Sequence, residues 1–81
     1  MTERKDLETM IEIVSLAIVR QETEEAFFRR SAFSSTCGTA CSLFTEIADE
    51  IARYVVQLKG RREKLVAELN NLKSTKTHTK K

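Results

Sequence analysis

Hydrophobic residues in the second half of the chain follow a heptad pattern. Between residues 37 and 72, steps of four and three alternate, and every position is apolar or cysteine except Arg62. Residues spaced in this way share one helical face, so the pattern predicts a long amphipathic α-helix that needs partner helices. The positions are Cys37, Cys41, Phe44, Ala48, Ile51, Val55, Leu58, Arg62, Leu65, Leu69 and Leu72.

A stripe of the same spacing runs through the first half of the chain. Thr2 is the expected N-cap of this helix, with Glu3 in its first turn, and residues 34–39 (SSTCGT) are the expected turn. We therefore predict an all-α fold, a long antiparallel helical hairpin within residues 1–73. Helix one lies at about 3–33, the turn at about 34–39 and helix two at about 40–73. The first stripe contains Leu7, Ile11, Val14, Ile18, Gln21, Glu25, Phe28 and Ala32.

One partner helix cannot cover all the apolar residues of helix one. Ile13, Leu16 and Val19 lie off the first stripe. Pairing with a second chain into a four-helix bundle would cover them, so we expect a homodimer or a higher homo-oligomer. The predicted oligomer core consists of Ile11, Val14, Ile18, Phe28, Ile51, Val55, Leu58, Leu65 and Leu69.

Composition and charge narrow the class of protein. The chain has 81 residues, no proline and a formal net charge of +2, with acidic and basic residues interspersed. A single domain of this size seldom buries enough surface to be stable alone, which favours self-association. The charge does not indicate a nucleic-acid partner, and the apolar segment at residues 10–19 is too short to span a membrane. We see no signal peptide and expect a cytoplasmic protein with a disordered basic tail at residues 74–81.

Acidic side chains interrupt the apolar pattern in the middle of helix one. In the predicted hairpin, Glu22 lies level with Glu50 and Ile51 of helix two. Carboxylates held inside a bundle are costly unless they are paired or bind a metal. Alternatively, Glu24 and Glu25 point outward and pair with arginines one helical turn away.

Two segments resemble the first helix pair of ferritin-like proteins of the rubrerythrin type. Residues 17–32 (AIVRQETEEAFFRRSA) place Glu22 five residues before an aromatic pair. Residues 43–58 (LFTEIADEIARYVVQL) supply the Leu-Phe and Ile-Ala pairs expected of the second helix. The resemblance implies a ferritin-like four-helix bundle in which glutamates and Glu-x-x-His pairs bind two iron ions.

The ligand pattern implied by this resemblance is incomplete. Glu22 occupies the first ligand position, but Ile51 and Tyr54 occupy the Glu-x-x-His positions, and the only histidine is His78. We therefore expect a bundle with a degenerate metal site, no cofactor and a structural or interaction role. Its polar network would join Glu22 to Tyr54 and Arg53. The alternative is a rubrerythrin-like protein that binds iron or manganese through Glu22 and Glu50 of paired chains.

The remaining candidate chemistry is limited to two thiols. Cys37 and Cys41 share a face near the start of helix two, where a helix N-terminus lowers a thiol pKa; they are either small packing residues or a redox or metal pair. The sequence contains no nucleophile, base and acid arrangement and no glycine-rich phosphate loop, so we expect no enzymatic activity. A small helical-hairpin chaperone or adaptor is a further alternative.

Overall fold

The protein is a hairpin of two long helices. A computed structural model describes the backbone of residues 3–79 and the side chains of residues 3–73. The first helix, α1, is Arg4–Ser34, and the second, α2, is Gly38–Thr79. Residues 35–37 connect them, and the two helices pack against each other in opposite directions. The predicted all-α helical hairpin is confirmed.

The turn is shorter than the sequence indicated. Ser34 still belongs to α1, whereas Gly38 and Thr39, which we expected in the turn, are the first residues of α2. Ser35 ends α1 in an extended conformation, and its N–H donates to the carbonyl of Ala32 over 3.3 Å. No residue in the described part of the chain has a positive φ, so this turn does not need the conformational freedom of glycine.

The outer ends of the helices also differ from the expected boundaries. Glu3 is the N-cap of α1, and its carbonyl accepts the N–H of Leu7 over 3.0 Å. Thr2, the cap that the sequence predicted, lies outside the described residues. The backbone of α2 is helical to Thr79, six residues beyond the expected end at about 73, so residues 74–79 of the predicted disordered tail continue the helix. The side chains of residues 74–81 lie outside the described part of the chain.

The two heptad stripes face each other and form the core. Ile18, Val55 and Leu58 make a buried cluster, and Val14, Ala17 and Ile51 pack against it. Burial of these aliphatic side chains is the main stabilising contribution to the hairpin. All nine residues of the predicted core are buried or half-buried, but their role in an oligomer core stays a prediction. Among residues 3–73, the buried residues are Leu7, Ile18, Ala32, Ala48, Val55 and Leu58.

Aromatic side chains close the core near the turn. The ring centroids of Phe28 and Phe44 are 6.1 Å apart across the two helices. Phe27 packs edge-on against Phe28, with 5.3 Å between centroids. Both distances lie in the range in which aromatic rings attract each other. These contacts join the helices at the closed end of the hairpin.

The hairpin is a rod and not a compact domain. Its principal dimensions are 66 × 18 × 15 Å, and its radius of gyration is 18.6 Å. A compact domain of 81 residues would have a radius of gyration of about 12 Å. The extended shape leaves both broad sides of the helix pair open to solvent.

Candidate interaction surface

The hairpin has two broad sides, and residues next to a heptad stripe lie on one or the other. Whether a residue comes before or after a stripe residue in the sequence determines its side. One residue turns the helix by about 100°, so the residue before a stripe position and the residue after it lie on opposite sides. Because the helices are antiparallel and of the same hand, the residues that follow stripe positions in α1 and α2 share one side. The residues that precede stripe positions share the other.

The side formed by the following residues carries the ion pairs between the helices. The Glu22 carboxylate lies 3.2 Å from Nζ of Lys59, and the Arg29 guanidinium lies 3.2 Å from Asp49. Arg29 also donates to Glu25 over 2.9 Å. The hydrogen bond to Glu25, and then that to Asp49, raise the pKa of Arg29. We call this side the ion-paired face.

The ion-paired face also carries exposed apolar residues, including Phe33, which is 93% exposed, and Val56, which is 69% exposed. The side formed by the preceding residues carries five large exposed apolar side chains and none of the described ion pairs between the helices. Along its length this side includes a methionine, a tyrosine, a phenylalanine and several aliphatic residues, and we call it the apolar face. Ile13 is 61% exposed, Phe27 is 55% exposed and Leu43 is 52% exposed. The apolar face consists of Met10, Ile13, Ala17, Phe27, Leu43, Ile47 and Tyr54.

A shallow pocket indents the α1 half of the apolar face. It has a volume of about 350 Å³ and is lined by Ile13, Leu16, Ala17, Arg20 and Gln21. Its walls are mainly aliphatic, with a guanidinium and an amide at one edge. A pocket of this composition can accept one apolar side chain of a partner.

Charged residues form a band across the middle of the apolar face. Arg20 and Glu24 of α1 and Glu50 of α2 all precede stripe positions and are exposed. Within residues 3–73, none of the three forms an ion pair or a side-chain hydrogen bond. The charges of the ion-paired face, in contrast, are partly neutralised inside the chain.

The structure does not bring the predicted network residues together within one chain. Glu22 follows a stripe residue and lies on the ion-paired face, whereas Tyr54 precedes one and lies on the apolar face. Arg53 is exposed. Among the described side chains, neither Tyr54 nor Arg53 forms a hydrogen bond or ion pair with Glu22, whose carboxylate pairs with Lys59. Sequence reasoning missed Lys59, although it follows Leu58 just as Glu22 follows Gln21.

The candidate metal ligands are also separated. Glu22 lies on the ion-paired face and Glu50 on the apolar face. In the part of the chain with described side chains, no three His, Cys, Asp or Glu residues are grouped closely enough to hold a metal ion. His78 lies beyond these side chains. Binding of iron or manganese by paired chains stays a prediction.

Cys37 has a defined position at the start of α2. Its carbonyl accepts the N–H of Cys41 over 2.9 Å, as expected for the residue before the first helical turn. The backbone N–H groups of Ala40 and Thr39 donate to the thiol and lower its pKa, and the Thr39 hydroxyl acts in the same direction. Cys37 is exposed and Cys41 is half-buried, and both thiols are free. Cys37 is therefore the more accessible thiol.

We predict that Cys37 reacts at lower pH in the folded chain than in the unfolded one. In a Cys41→Ser variant, the midpoint of the pH dependence of iodoacetamide alkylation should rise when urea removes the N–H donors. The lowered pKa also means that the Cys37 thiolate stabilises the fold above the ordinary thiol pKa. That contribution is lost as the pH falls through the lowered value. Equal alkylation midpoints in the folded and unfolded chain would contradict a lowered pKa of Cys37. The Cys37→Ser variant measures the background of alkylation that does not involve this thiol.

Comparisons with known proteins found no match to this chain. No family model matches it, and neither the curated proteins nor the solved structures include a significant match. The resemblance to rubrerythrin-type helix pairs stays a prediction. Within the described residues, neither helix has a segment apolar enough to cross a membrane.

Proposed function

We propose that this protein is a self-associating helical hairpin with a structural or interaction role. Two copies pair through the apolar face and form a four-helix bundle. The observation that carries the proposal is the amount and position of the exposed apolar surface.

The chain exposes more surface than a monomer of its mass normally does. Its accessible surface is 6417 Å² for a mass of 9.3 kDa. A folded monomeric protein of this mass exposes about 5,000 Å². The excess of about 1,400 Å² belongs to the whole chain, in which α2 (42 residues) is 11 residues longer than α1 (31 residues), and it is larger than the roughly 800 Å² that each partner buries in an interface of standard size. Pairing with a second copy would cover surface of this order.

The exposed surface also has the pattern of a bundle interface. Helices of four-helix bundles are apolar at stripe positions and at one flanking position. In this hairpin the apolar residues that precede stripe positions in α1 and α2, including Ile13 and Ile47, lie on the same broad side, and the interhelical ion pairs lie on the other. Two hairpins can therefore bring four apolar helix faces together without changing the hairpin itself.

The proposed bundle is ferritin-like in architecture, with a degenerate metal site. The positions at which the resemblance implies Glu-x-x-His hold Ile51, which packs against the buried cluster, and Tyr54, which is exposed. Ile51 cannot coordinate a metal, and a phenol is a poor substitute for imidazole in such a site. These residues support assembly over redox chemistry.

Sedimentation equilibrium of the full chain tests the proposal. We expect a mass of twice 9.3 kDa that falls toward the chain mass on dilution. A folded chain that stays monomeric over the whole concentration range would contradict the proposal. That outcome would favour the adaptor hypothesis, in which the same face binds a different protein.

A further inference from the structure

We infer that the two copies pair with their turns at opposite ends, related by a two-fold axis through the charged band. This inference rests on the proposed self-association and specifies its geometry. It comes from the positions of Arg20, Glu24, Glu50 and Tyr54 along the hairpin.

Contacts between the helices determine which residues lie at the same height along the rod. Ile18 packs with Val55 and Leu58, and Phe28 packs with Phe44. By interpolation, Arg20 lies level with Tyr54, and Glu24 lies level with Glu50. Two residues that are four positions apart span about one helical turn. This spacing separates Arg20 from Glu24 in α1, and Glu50 from Tyr54 in α2. The midpoints of the two pairs lie at the same height along the rod.

A single two-fold axis that is perpendicular to the helices and passes at the height of these midpoints can therefore bring both pairs against their counterparts in the second copy. Rotation about it places α1 against α1 of the second copy and α2 against α2, each antiparallel. Arg20 then faces Glu24 of the second copy, twice. The Tyr54 hydroxyl faces Glu50 of the second copy, also twice, and can donate a hydrogen bond to that carboxylate.

The other face-to-face arrangement has poorer charge complementarity. With both turns at the same end, α1 packs against α2 of the second copy at equal height. Glu24 then faces Glu50 of the second copy, so like charges meet at both symmetric positions. Like-charge contacts in an interface oppose association, whereas the arrangement with opposed turns replaces them by attractive pairs.

Apolar residues flank the band in the arrangement with opposed turns. Phe27 of one copy lies near Ala17 of the other, and the small alanine leaves room for the ring. The pocket beside Ile13 and Leu16 lies next to this position. The interface thus has charged pairs at its centre and apolar contacts on both sides of them.

Charge reversal at the two α1 positions distinguishes the arrangements. Arg20→Glu and Glu24→Arg should each raise the dissociation constant of the dimer by about 10- to 100-fold, because each change creates two like-charge contacts. The double variant Arg20→Glu/Glu24→Arg should return it to within about threefold of the original value, since the pair is restored with its signs exchanged. Sedimentation equilibrium measures all three constants, and circular dichroism checks that each variant is helical.

Matched reversals outside the apolar face control for net charge. Glu12 lies on the ion-paired face and Arg30 on the outer side of α1, and both are exposed. Glu12→Arg and Arg30→Glu should leave the dissociation constant unchanged. Tighter association of Glu24→Arg, or an unchanged constant in both single variants, would overturn the inference while leaving self-association intact. A monomeric unmodified chain would instead contradict the proposed function.

A distance measurement tests the geometry without altering the charges. Spin labels on Cys37 of a Cys41→Ser variant lie at the turns. With opposed turns they should be separated by about 45 Å, the length of 30 helical residues. A separation under about 20 Å would place the turns together and overturn the inference.

Discussion

Replacing Ile18 with alanine is expected to lower the free energy of unfolding by about 3 kcal/mol. Ile18 is only 3% exposed and forms the buried cluster with Val55 and Leu58. The substitution removes buried aliphatic atoms and leaves a cavity that two packed helices cannot close fully. Few residues of this hairpin are fully buried, so this cluster carries a large share of its stability.

Urea denaturation at a fixed chain concentration measures this change, since the stability of a self-associating chain depends on concentration. Val19→Ala is the matched control. Val19 is the next residue and is 57% exposed, so its truncation should change the free energy by less than about 0.5 kcal/mol. A loss below about 1 kcal/mol for Ile18→Ala would show that the cluster is not the core of the folded state.

Replacing Ile13 with glutamate should dissociate the proposed dimer. Ile13 lies on the apolar face beside the shallow pocket, and two copies of the new carboxylate would be buried in one interface. Burying an unpaired charge is costly, so we expect the dissociation constant to rise by about 100-fold or more. The variant should stay helical, because the side chain is exposed in the single hairpin and takes little part in its core.

Val56→Glu provides the comparison. Val56 is 69% exposed, close to the 61% of Ile13, but it follows a stripe residue and lies on the ion-paired face. The Val56→Glu variant should have the same dissociation constant as the unmodified chain in sedimentation equilibrium. If Val56→Glu dissociates and Ile13→Glu does not, the interface lies on the opposite face. If both associate normally, the apolar face is not the interface.

The hairpin could be predicted from sequence because its core is strictly periodic. Leu7 and Ile18 in α1, and Val55 and Leu58 in α2, occupy the heptad positions at which burial was expected. The predicted turn is too long because Gly38 and Thr39 belong to the first turn of α2. Both residue types are common in turns and are also tolerated in the first turn of a helix, where packing of the following residues decides.

The ion-pair partner of Glu22 could not be predicted from the height of Glu22 along the hairpin alone. The expected level of Glu22, near Ile51, leaves its side of the hairpin undetermined, so the sequence predicts Tyr54 and Arg53 as its partners. The partner in the structure is Lys59, because Glu22 and Lys59 flank the stripes on the same side. The proposed dimer interface depends in the same way on the side of the hairpin on which each residue lies, which the heptad spacing alone does not give.

The aromatic contact near the turn bears on how the chain folds. Phe28 and Phe44 are 16 residues apart in sequence, whereas contacts at the open end near Leu7 join residues about 60 apart. Closing the shorter loop costs about 1 kcal/mol less free energy, because it removes less chain entropy. We therefore expect helix pairing to begin at the turn and to extend toward the open ends.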